Sequence, residues 1–307
     1  MIRFGLCCIF NEQPIKFRQT TAKALSKLDR EAQLCKLSEI ALHNAESLLQ
    51  ALDFVNLNDI GAFRVLSPIL PVYTHPDVGY KLDDLPDSET IRLRYSQAKE
   101  FAQKHDIRLS FHPDQFVVLS SPREKVVKNS ICELAYQCMV AELIGAENVN
   151  IHLGGVYGDK ISAIKRFAGV YNRLPEVIHK HLTLENDDVS YTVEDLYPLC
   201  CDLEIPLVYD VHHHRCNPDN LSIEEATDRS IKTWNALKRE PHFHISSPKN
   251  GWDSSKQRPH SDFIEFSDFP NYWTKIEQRV TIDIEAKAKE VAIAKIQYAI
   301  RNKKQEN

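Results

Sequence analysis

Short runs of β-branched or aromatic residues alternate with longer stretches of helical periodicity along almost the whole chain. We predict eight strands, near residues 2–8, 63–66, 107–111, 149–152, 182–185, 207–211, 243–246 and 280–285. Helices are predicted near residues 30–52, 89–105, 125–145, 161–180, 192–203, 222–238 and 286–302. Eight strands that alternate with helices are the number needed for an α/β fold of the closed (β/α)8, or TIM-barrel, type.

An open, doubly wound sheet is the competing architecture. The sequence has neither a G-x-G-x-x-G motif after its first strand nor a P-loop, so we expect no nucleotide cofactor. No linker rich in Pro, Gly or Ser divides the sequence, which predicts a single domain over residues 1–307. The stretches 10–30 and 247–270 are long for βα loops, and we expect them on the C-terminal face of the barrel, where such loops carry function.

Composition excludes several classes of protein. No apolar run approaches the roughly eighteen residues needed to span a bilayer, and the N-terminus lacks the features of a secretory signal. The eight cysteines form no C-x-x-C pair, so we expect reduced and mostly buried thiols rather than a zinc ribbon. We expect a monomeric cytoplasmic protein with no membrane partner, associated with the nucleoid if the source is prokaryotic.

Histidines and carboxylates stand at six consecutive predicted strand ends. A barrel brings these ends together on one face, so residues far apart in sequence can meet there. Imidazoles mixed with carboxylates and no thiolate suit Mn, Zn or Fe, and the set exceeds the needs of one ion, which predicts two or three. The run 212–214 cannot point entirely inward if it continues a strand. The residues of the set are His112, His152, Glu185, Asp210 with His213, His242 with His244, and Glu285.

This set of ligands suits phosphodiester chemistry. Ions bridged by carboxylates such as Glu185 and Glu285 would hold the attacking and leaving oxygens and provide hydroxide at neutral pH. The formal net charge of −5 would become about +1 with three divalent ions, which is compatible with a polyanionic substrate. Basic residues in the loops beyond the strand ends could hold phosphates along a groove; they are Lys16, Arg18, Lys23, Lys27, Arg123, Lys125, Lys128, Lys249, Lys256 and Arg258.

Six segments, in their order and spacing, resemble the UV damage endonuclease family, TIM-barrel nucleases related to endonuclease IV. The matching segments are Phe111-His112-Pro113-Asp114-Gln115-Phe116, Asn150-Ile151-His152-Leu153-Gly154-Gly155, Leu184-Glu185-Asn186-Asp187, Tyr209-Asp210-Val211-His212-His213-His214, His244-Ile245-Ser246-Ser247 and Asp283-Ile284-Glu285-Ala286-Lys287.

The resemblance implies an enzyme that nicks duplex DNA immediately 5′ of cyclobutane pyrimidine dimers and 6-4 photoproducts and leaves a 3′-hydroxyl. It implies Mn²⁺ as the ion, with Zn²⁺, Co²⁺ or Mg²⁺ as alternatives, and catalytic roles for His112, Glu185 and Glu285. By position, the implied ligands are His112, His152, Glu185, Asp210, His213, His244, His260 and Glu285. Gln115 and Phe116 match the wedge that probes the lesion, Asn11 matches a residue that approaches it, and we add Lys249, Trp252 and Arg258 as DNA-binding residues.

Three features depart from the family pattern. The spacing between strand one and Asn11 is one residue longer than in the family. Leu6 stands where the family usually has a tyrosine, which predicts the loss of a contact that stacks on the lesion. His242 stands where the family can place a metal-binding, modified lysine. We predict that His242 ligates a third ion shared with His213 or His260; the alternative is a histidine that holds a carboxylate.

Three other functions compete with this interpretation. An abasic-site endonuclease of the endonuclease IV type is the nearest, although Arg258 stands where that group suggests an aspartate two residues before His260. A sugar isomerase of the xylose isomerase type would need neither the basic loops nor the Gln115–Phe116 tip. A catalytically inactive DNA-damage binder would be expected to have lost ligands, and this sequence keeps them.

Overall fold

Eight parallel strands pair in chain order and the last pairs with the first, so the sheet closes into a barrel. The computed structural model describes residues 1–305. Each strand lies within one residue of its predicted bounds, and the (β/α)8 fold is confirmed. The strands are Ile2–Cys7 (β1), Ala62–Val65 (β2), Arg108–Phe111 (β3), Asn148–His152 (β4), Leu182–Glu185 (β5), Leu207–Asp210 (β6), His242–Ile245 (β7) and Val280–Ile284 (β8).

Helices surround the barrel. The α-helices of the described chain are Ala22–Leu25 (α1), Arg30–Leu57 (α2), Ser88–Lys104 (α3), Glu124–Ile144 (α4), Lys160–Tyr171 (α5), Glu176–His181 (α6), Val193–Leu203 (α7), Val211–Cys216 (α8), Ile223–Ala236 (α9) and Glu290–Gln305 (α10). Short 3₁₀ helices span Leu82–Asp84, Phe266–Asp268 and Asn271–Lys275. Among the helices described, none combines the length and the apolar character needed to cross a membrane.

Two predicted elements differ in kind from the structure. In addition, the helix predicted at 30–52 extends to Leu57 and the one predicted at 286–302 begins at Glu290. The helix predicted over 161–180 is divided into α5 and α6, because Pro175 has no N–H to continue a helix and instead stands at the N-cap of α6. The histidine run 212–214 lies on α8, a six-residue helix that begins directly after β6, and not on a strand. Strand alternation therefore does not govern which of these imidazoles face the barrel.

The interior of the barrel is lined by charged side chains. Arg3, Arg64 and Arg108 are buried on three consecutive strands, and Arg3 Nε lies 3.1 Å from Glu240 Oε1. Buried charges are tolerated only when they are paired, so these pairs hold the inner layer together. The apolar residues of the strands pack outward in the core beneath the helices, as do Phe63, Leu184 and Ile282.

Contacts within the chain fix two long loops on the C-terminal face of the barrel. After β7 the chain folds back on itself, with an antiparallel bridge between Pro248 and His260 and a 2.7 Å hydrogen bond from Lys249 N–H to Pro259 O. After β1, the backbone N–H groups of residues 11 and 12 donate to the carboxylate of Glu290, at 2.8 and 2.7 Å. The contacts in the loop after β7 fix the position of His260, and the hydrogen bonds to Glu290 fix the backbone at Asn11.

All eight cysteines are free thiols, as the sequence predicts. The expectation that most of them are buried is wrong. Cys7, Cys138 and Cys200 are buried, whereas Cys35, Cys132 and Cys201 are exposed on the outer helices. The exposed positions on α2, α4 and α7 face solvent because only the inner side of each helix packs against the sheet.

Candidate metal centre

Glu185, the last residue of β5, lies at the centre of the imidazole cluster. Its side chain is fully buried. Its Oε2 atom is 3.0 Å from His112 Nε2, and its Oε1 atom is 3.1 Å from His244 Nδ1 and 3.3 Å from His213 Nδ1. Asn150, one strand away on β4, also donates to Oε2. One carboxylate thus contacts side chains from the loop after β3, from β4, from β7 and from α8.

Three groups of potential ligands follow one another across the strand ends. In each group, one ligand atom per residue lies within 4.8 Å of the others. Glu185 belongs to the first two groups and Asp210 to the last two, so adjacent groups share a carboxylate. The groups are His112–His152–Glu185, Glu185–Asp210–His213 and Asp210–His244–Glu285.

Several buried atoms of these groups have no hydrogen-bond partner among the described residues. They are His152 Nδ1, Glu185 Oε1, Asp210 Oδ2 and His244 Nδ1. The 3.1 Å separation of His244 Nδ1 and Glu185 Oε1 lacks hydrogen-bond geometry. Unpartnered buried lone pairs are costly, and a cation would satisfy them. The donor set of imidazole and carboxylate therefore fits divalent metal ions of the Mn or Zn type.

The electrostatics of the centre keep Glu185 and Glu285 ionised. Burial alone would raise the pKa of Glu185, but the surrounding imidazoles, His244 first, hold that pKa well below its usual value. Burial is likewise outweighed at Glu285, where Arg64 and His244 hold the pKa of the carboxyl well below normal. Burial lowers the pKa of His152, so its imidazole is neutral and has a lone pair to donate.

Arg64 and Asp283 belong to the same centre, although the sequence did not single them out. From β2, Arg64 Nη1 donates to Glu285 Oε1 at 2.6 Å and Nε donates to Asp283 Oδ2 at 3.0 Å. Gly5 packs against Asp283 Oδ1 and leaves no room for a Cβ atom. A signal was available: each residue is a charge inside an otherwise apolar strand, and Asp283 precedes Glu285 by two residues.

His242 lies deeper in the barrel than the other histidines. Its Nε2 atom is 3.2 Å from Asp283 Oδ2, and burial lowers its pKa to about 4, so the ring is neutral. The structure groups it with His244 and Asp283. In the described chain it shares no ligand group with His213 or His260, the partners predicted for it.

The histidines of α8 and of the loop after β7 differ in whether they face the centre. His260, carried by the folded-back loop, lies with Nδ1 3.6 Å from Glu285 Oε2 and is partly exposed. On α8, only His213 faces the centre. His212 interacts with the backbone oxygen of Arg258 at 3.2 Å, and His214 lies 2.7 Å from the Tyr209 hydroxyl.

The predicted DNA-binding residues all lie on loops of the C-terminal face. Gln115 and Phe116 are exposed on the loop after β3, with Phe116 75% accessible. Asn11 and Lys249 are also exposed. Two residues are already engaged within the protein: Trp252 Nε1 donates to Asp268 Oδ1 at 2.8 Å, and Arg258 Nε lies 3.5 Å from Asp188 Oδ2.

Leu6 is fully buried in the apolar core. Its neighbour Gly5 faces Asp283 inside the barrel, so alternation along β1 directs Leu6 toward the helices. Leu6 therefore does not face the substrate side. The expectation that it marks a missing contact at the mouth is not supported by its position.

Fold and site together define a class of protein, a (β/α)8 enzyme whose strand ends converge on a cluster of imidazoles and carboxylates. Residues 2–305 match the family described as UV-endonuclease UvdE. The chain belongs to the UV-endonuclease family, which confirms the resemblance seen in the six sequence segments. It is therefore a nuclease.

Individual proteins agree with this assignment. The chain is 34% identical over 308 residues to the UV DNA damage endonuclease of Bacillus velezensis, covering 96% of this chain and 93% of the relative. It is similar to the crystal structure of SacUVDE, with a TM-score of 0.86, 27% identity and coverage of 98% and 99%. Endonuclease IV from Thermus thermophilus shares the fold, with a TM-score of 0.61, 14% identity and coverage of 99% and 100%.

Proposed function

We propose that this endonuclease uses divalent metal ions, Mn²⁺ foremost, to nick damaged duplex DNA immediately 5′ of a UV photoproduct, leaving a 3′-hydroxyl. The observation that carries the proposal is the position of Glu185, a fully buried carboxylate with three imidazoles within 3.3 Å. It also belongs to two adjacent ligand groups. A carboxylate shared in this way is typical of a two-metal phosphodiesterase site. The enzyme would act as a monomer and without a nucleotide cofactor. Its location would be the cytoplasm, at the nucleoid.

The ligands would be His112, His152, Glu185, Asp210, His213, His244, His260 and Glu285. Divalent ions bound there would supply Lewis-acid chemistry, stabilising charge on phosphate oxygens and acidifying a water nucleophile. Glu185 and Asp210 each belong to two adjacent ligand groups, so they would fix the distance between ions bound in those groups. Asn150 and Arg64 orient Glu185 and Glu285 by donating to one oxygen of each. His260 is more exposed than His112 or His213, so it would be the most accessible of these three to an incoming phosphate.

Lesion recognition would fall to the loop after β3. Gln115 and Phe116 follow His112 by a few residues, so an aromatic ring and an amide stand at the rim of the centre rather than inside it. An exposed pair of this kind can insert into the stack where a base is displaced. A photoproduct already weakens stacking, so less energy is needed to open the helix there.

We expect the double substitution Gln115→Ala, Phe116→Ala to weaken the preference for damaged over intact duplex by about 1–3 kcal/mol, the typical effect of losing an aromatic–base stack. Binding of both duplexes is measured at fixed salt, together with metal content. Tyr298→Ala removes an equally exposed aromatic ring from outer helix α10 and is the matched control. Unchanged preference combined with loss of metal would show that the loop supports the centre and does not probe the lesion.

Lys249 should act on the DNA backbone. Its side chain is exposed on the same folded-back loop that carries His260. We expect Lys249→Ala to weaken binding of damaged and intact duplex equally and to reduce the slope of log K against log salt by about 1. The control is Lys104→Ala, at the end of α3 on the opposite face of the barrel. A selective effect on damaged duplex would contradict a phosphate contact.

The proposed function is tested with end-labelled duplexes that are undamaged, UV-irradiated or abasic, each incubated with the protein and Mn²⁺. We expect a nick at the 5′ side of the photoproduct and little cleavage of the undamaged duplex. Preferential cleavage at the abasic site would identify an abasic-site endonuclease instead. Absence of cleavage on every duplex, together with ketose–aldose interconversion of xylose, would favour a sugar isomerase.

A further inference from the structure

Asn186 follows Glu185 directly and is the first residue beyond β5. Its side chain is fully buried, although it is polar. The last pair between β5 and β6 joins Glu185 to Val208, so the end of β6 extends beyond its pairing with β5. Asp210, the last residue of β6, lies beyond that pairing. The backbone of this ligand residue therefore needs hydrogen-bond partners other than a strand of the barrel on the side of β5.

The side-chain amide of Asn186 provides those partners. Its Nδ2 atom donates to Asp210 O at 2.9 Å, and its Oδ1 atom accepts from Asp210 N–H at 2.9 Å. A carboxamide has a donor and an acceptor side by side, as a peptide group has, so it can replace the main chain of a neighbouring strand. Asp210 is fully buried, and a buried backbone group without a partner is costly. Asn186 thus fixes the backbone of a residue that belongs to two ligand groups.

The main chain of Asn186 contacts a second ligand residue. His213 Nδ1 lies 3.0 Å from Asn186 O in hydrogen-bond geometry. A carbonyl oxygen can only accept, so Nδ1 carries a proton, and an ion bound by this ring is held by the other nitrogen, Nε2. Metal-binding histidines usually donate from their second ring nitrogen in this way. Asp210 also fixes His213, because its Oδ1 atom caps α8 by accepting from His213 N–H at 2.8 Å.

We propose that Asn186 is a positioning residue of the metal centre: its side chain sets Asp210, and its carbonyl sets His213, for divalent ions. Both of its oxygen atoms already accept hydrogen bonds within the protein, so it is not itself a ligand. Asp210 Oδ2 has no hydrogen-bond partner among the described residues, which leaves this oxygen for an ion. The inference rests on the proposed function, because it concerns the same metal centre.

Asn44 on α2 offers a matched control. It is also fully buried, and its side chain makes the same double contact with a backbone: Oδ1 accepts from Arg18 N–H at 2.7 Å, and Nδ2 donates to Arg18 O at 3.0 Å. Neither residue belongs to a ligand group of the described chain. Asn44→Ala therefore removes a comparable set of buried hydrogen bonds without touching the metal centre.

Binding of Mn²⁺ is measured by titration calorimetry on the wild type, Asn186→Ala and Asn44→Ala, each verified as folded by circular dichroism. We expect the dissociation constant for Mn²⁺ to rise about 10–100-fold in Asn186→Ala, the usual effect of removing a residue that orients metal ligands. Asn44→Ala should bind Mn²⁺ as the wild type does. Nicking by Asn186→Ala should need correspondingly more Mn²⁺. Equal affinity in the wild type and Asn186→Ala, or an equal loss in both variants, would overturn the proposal.

A measurement on the wild type does not depend on whether Asn186→Ala folds. In protein with isotopically labelled histidine and bound Zn²⁺, NMR shows which ring nitrogen of His213 carries a proton. We expect the proton on Nδ1 and the ion on Nε2, and an ion on Nδ1 would overturn the proposal. A wild type that neither binds divalent ions nor nicks damaged duplex would overturn the proposed function and this inference with it. A wild type that binds and nicks, with equal Mn²⁺ affinity in Asn186→Ala, would overturn this inference alone.

Discussion

Glu185→Gln is expected to abolish nicking of damaged duplex while the barrel remains folded. The amide keeps the size of the side chain but removes the negative charge shared by two ligand groups. We expect a loss of at least about a thousandfold, or ~4 kcal/mol, the scale of charge stabilisation by metal ions. Turnover is measured on a duplex with one photoproduct across a range of Mn²⁺ concentrations. We expect the same loss of nicking for Glu285→Gln, because Glu285 is a member of the third ligand group.

The control for this change is Glu142→Gln. Glu142 pairs with Lys180 and His181 at 2.6 and 2.7 Å, outside the ligand groups, so its loss should leave nicking unchanged. Near wild-type turnover of Glu185→Gln at saturating Mn²⁺ would contradict the shared-ligand assignment. If activity were lost while the bound metal was fully retained, Glu185 would act on the substrate and not on the ions.

Asp283→Ala is expected to destabilise the protein by about 3–5 kcal/mol, the cost of breaking a buried ion pair by removing one partner. Asp283 is fully buried and contacts both Arg64 and His242. Its removal leaves a buried guanidinium held mainly by Glu285. Urea unfolding, followed by circular dichroism under chelating conditions, measures the effect without a contribution from metal binding.

The pH dependence of stability gives a second measure of the same pair. Burial opposes ionisation of Asp283, but His242 and Arg64 hold its pKa below the ordinary value. A lowered pKa in the folded state stabilises the protein above the unfolded-state pKa of about 4, and this contribution disappears as the pH falls. Asp283→Ala should therefore lose less stability than the wild type on acidification below pH 4.

Asp106→Ala is the matched control for Asp283→Ala. Asp106 also pairs with a buried arginine, Arg3, at 3.1 Å, but its own side chain is 68% exposed. Exposed pairs contribute about 0–1 kcal/mol, so the loss should be small. Equal destabilisation by the two substitutions would mean that burial does not determine the strength of these pairs.

The sequence predicts the barrel well because each strand is a short apolar run with clear boundaries. It also predicts the outer ligands, because a chemically distinctive residue stands at each strand end and the barrel topology brings those ends together. Glu185 and Asp210 are found in this way. Which imidazoles of the run 212–214 face the centre depends on a short helix that the apolar pattern does not reveal.

The inner layer is where sequence reasoning fails. Arg64 and Asp283 resemble isolated charges within strands until the barrel closes and brings β2 beside β8 through β1. Their pairing depends on side-chain reach across the barrel, which periodicity does not encode. The orientation of Leu6 cannot be predicted from the sequence pattern either. It depends on the register of β1 in the barrel, which is fixed where Gly5 packs against Asp283.

The most direct test of the proposed metal-dependent UV endonuclease follows a single photoproduct in an end-labelled duplex, first after chelation of the protein and then after addition of Mn²⁺. We predict no cleavage after chelation. On Mn²⁺ addition we predict one nick at the 5′ side of the photoproduct, with a 3′ end that a polymerase extends. Equal cleavage of the matched intact duplex, or a nick that persists in the chelated protein, would contradict the account.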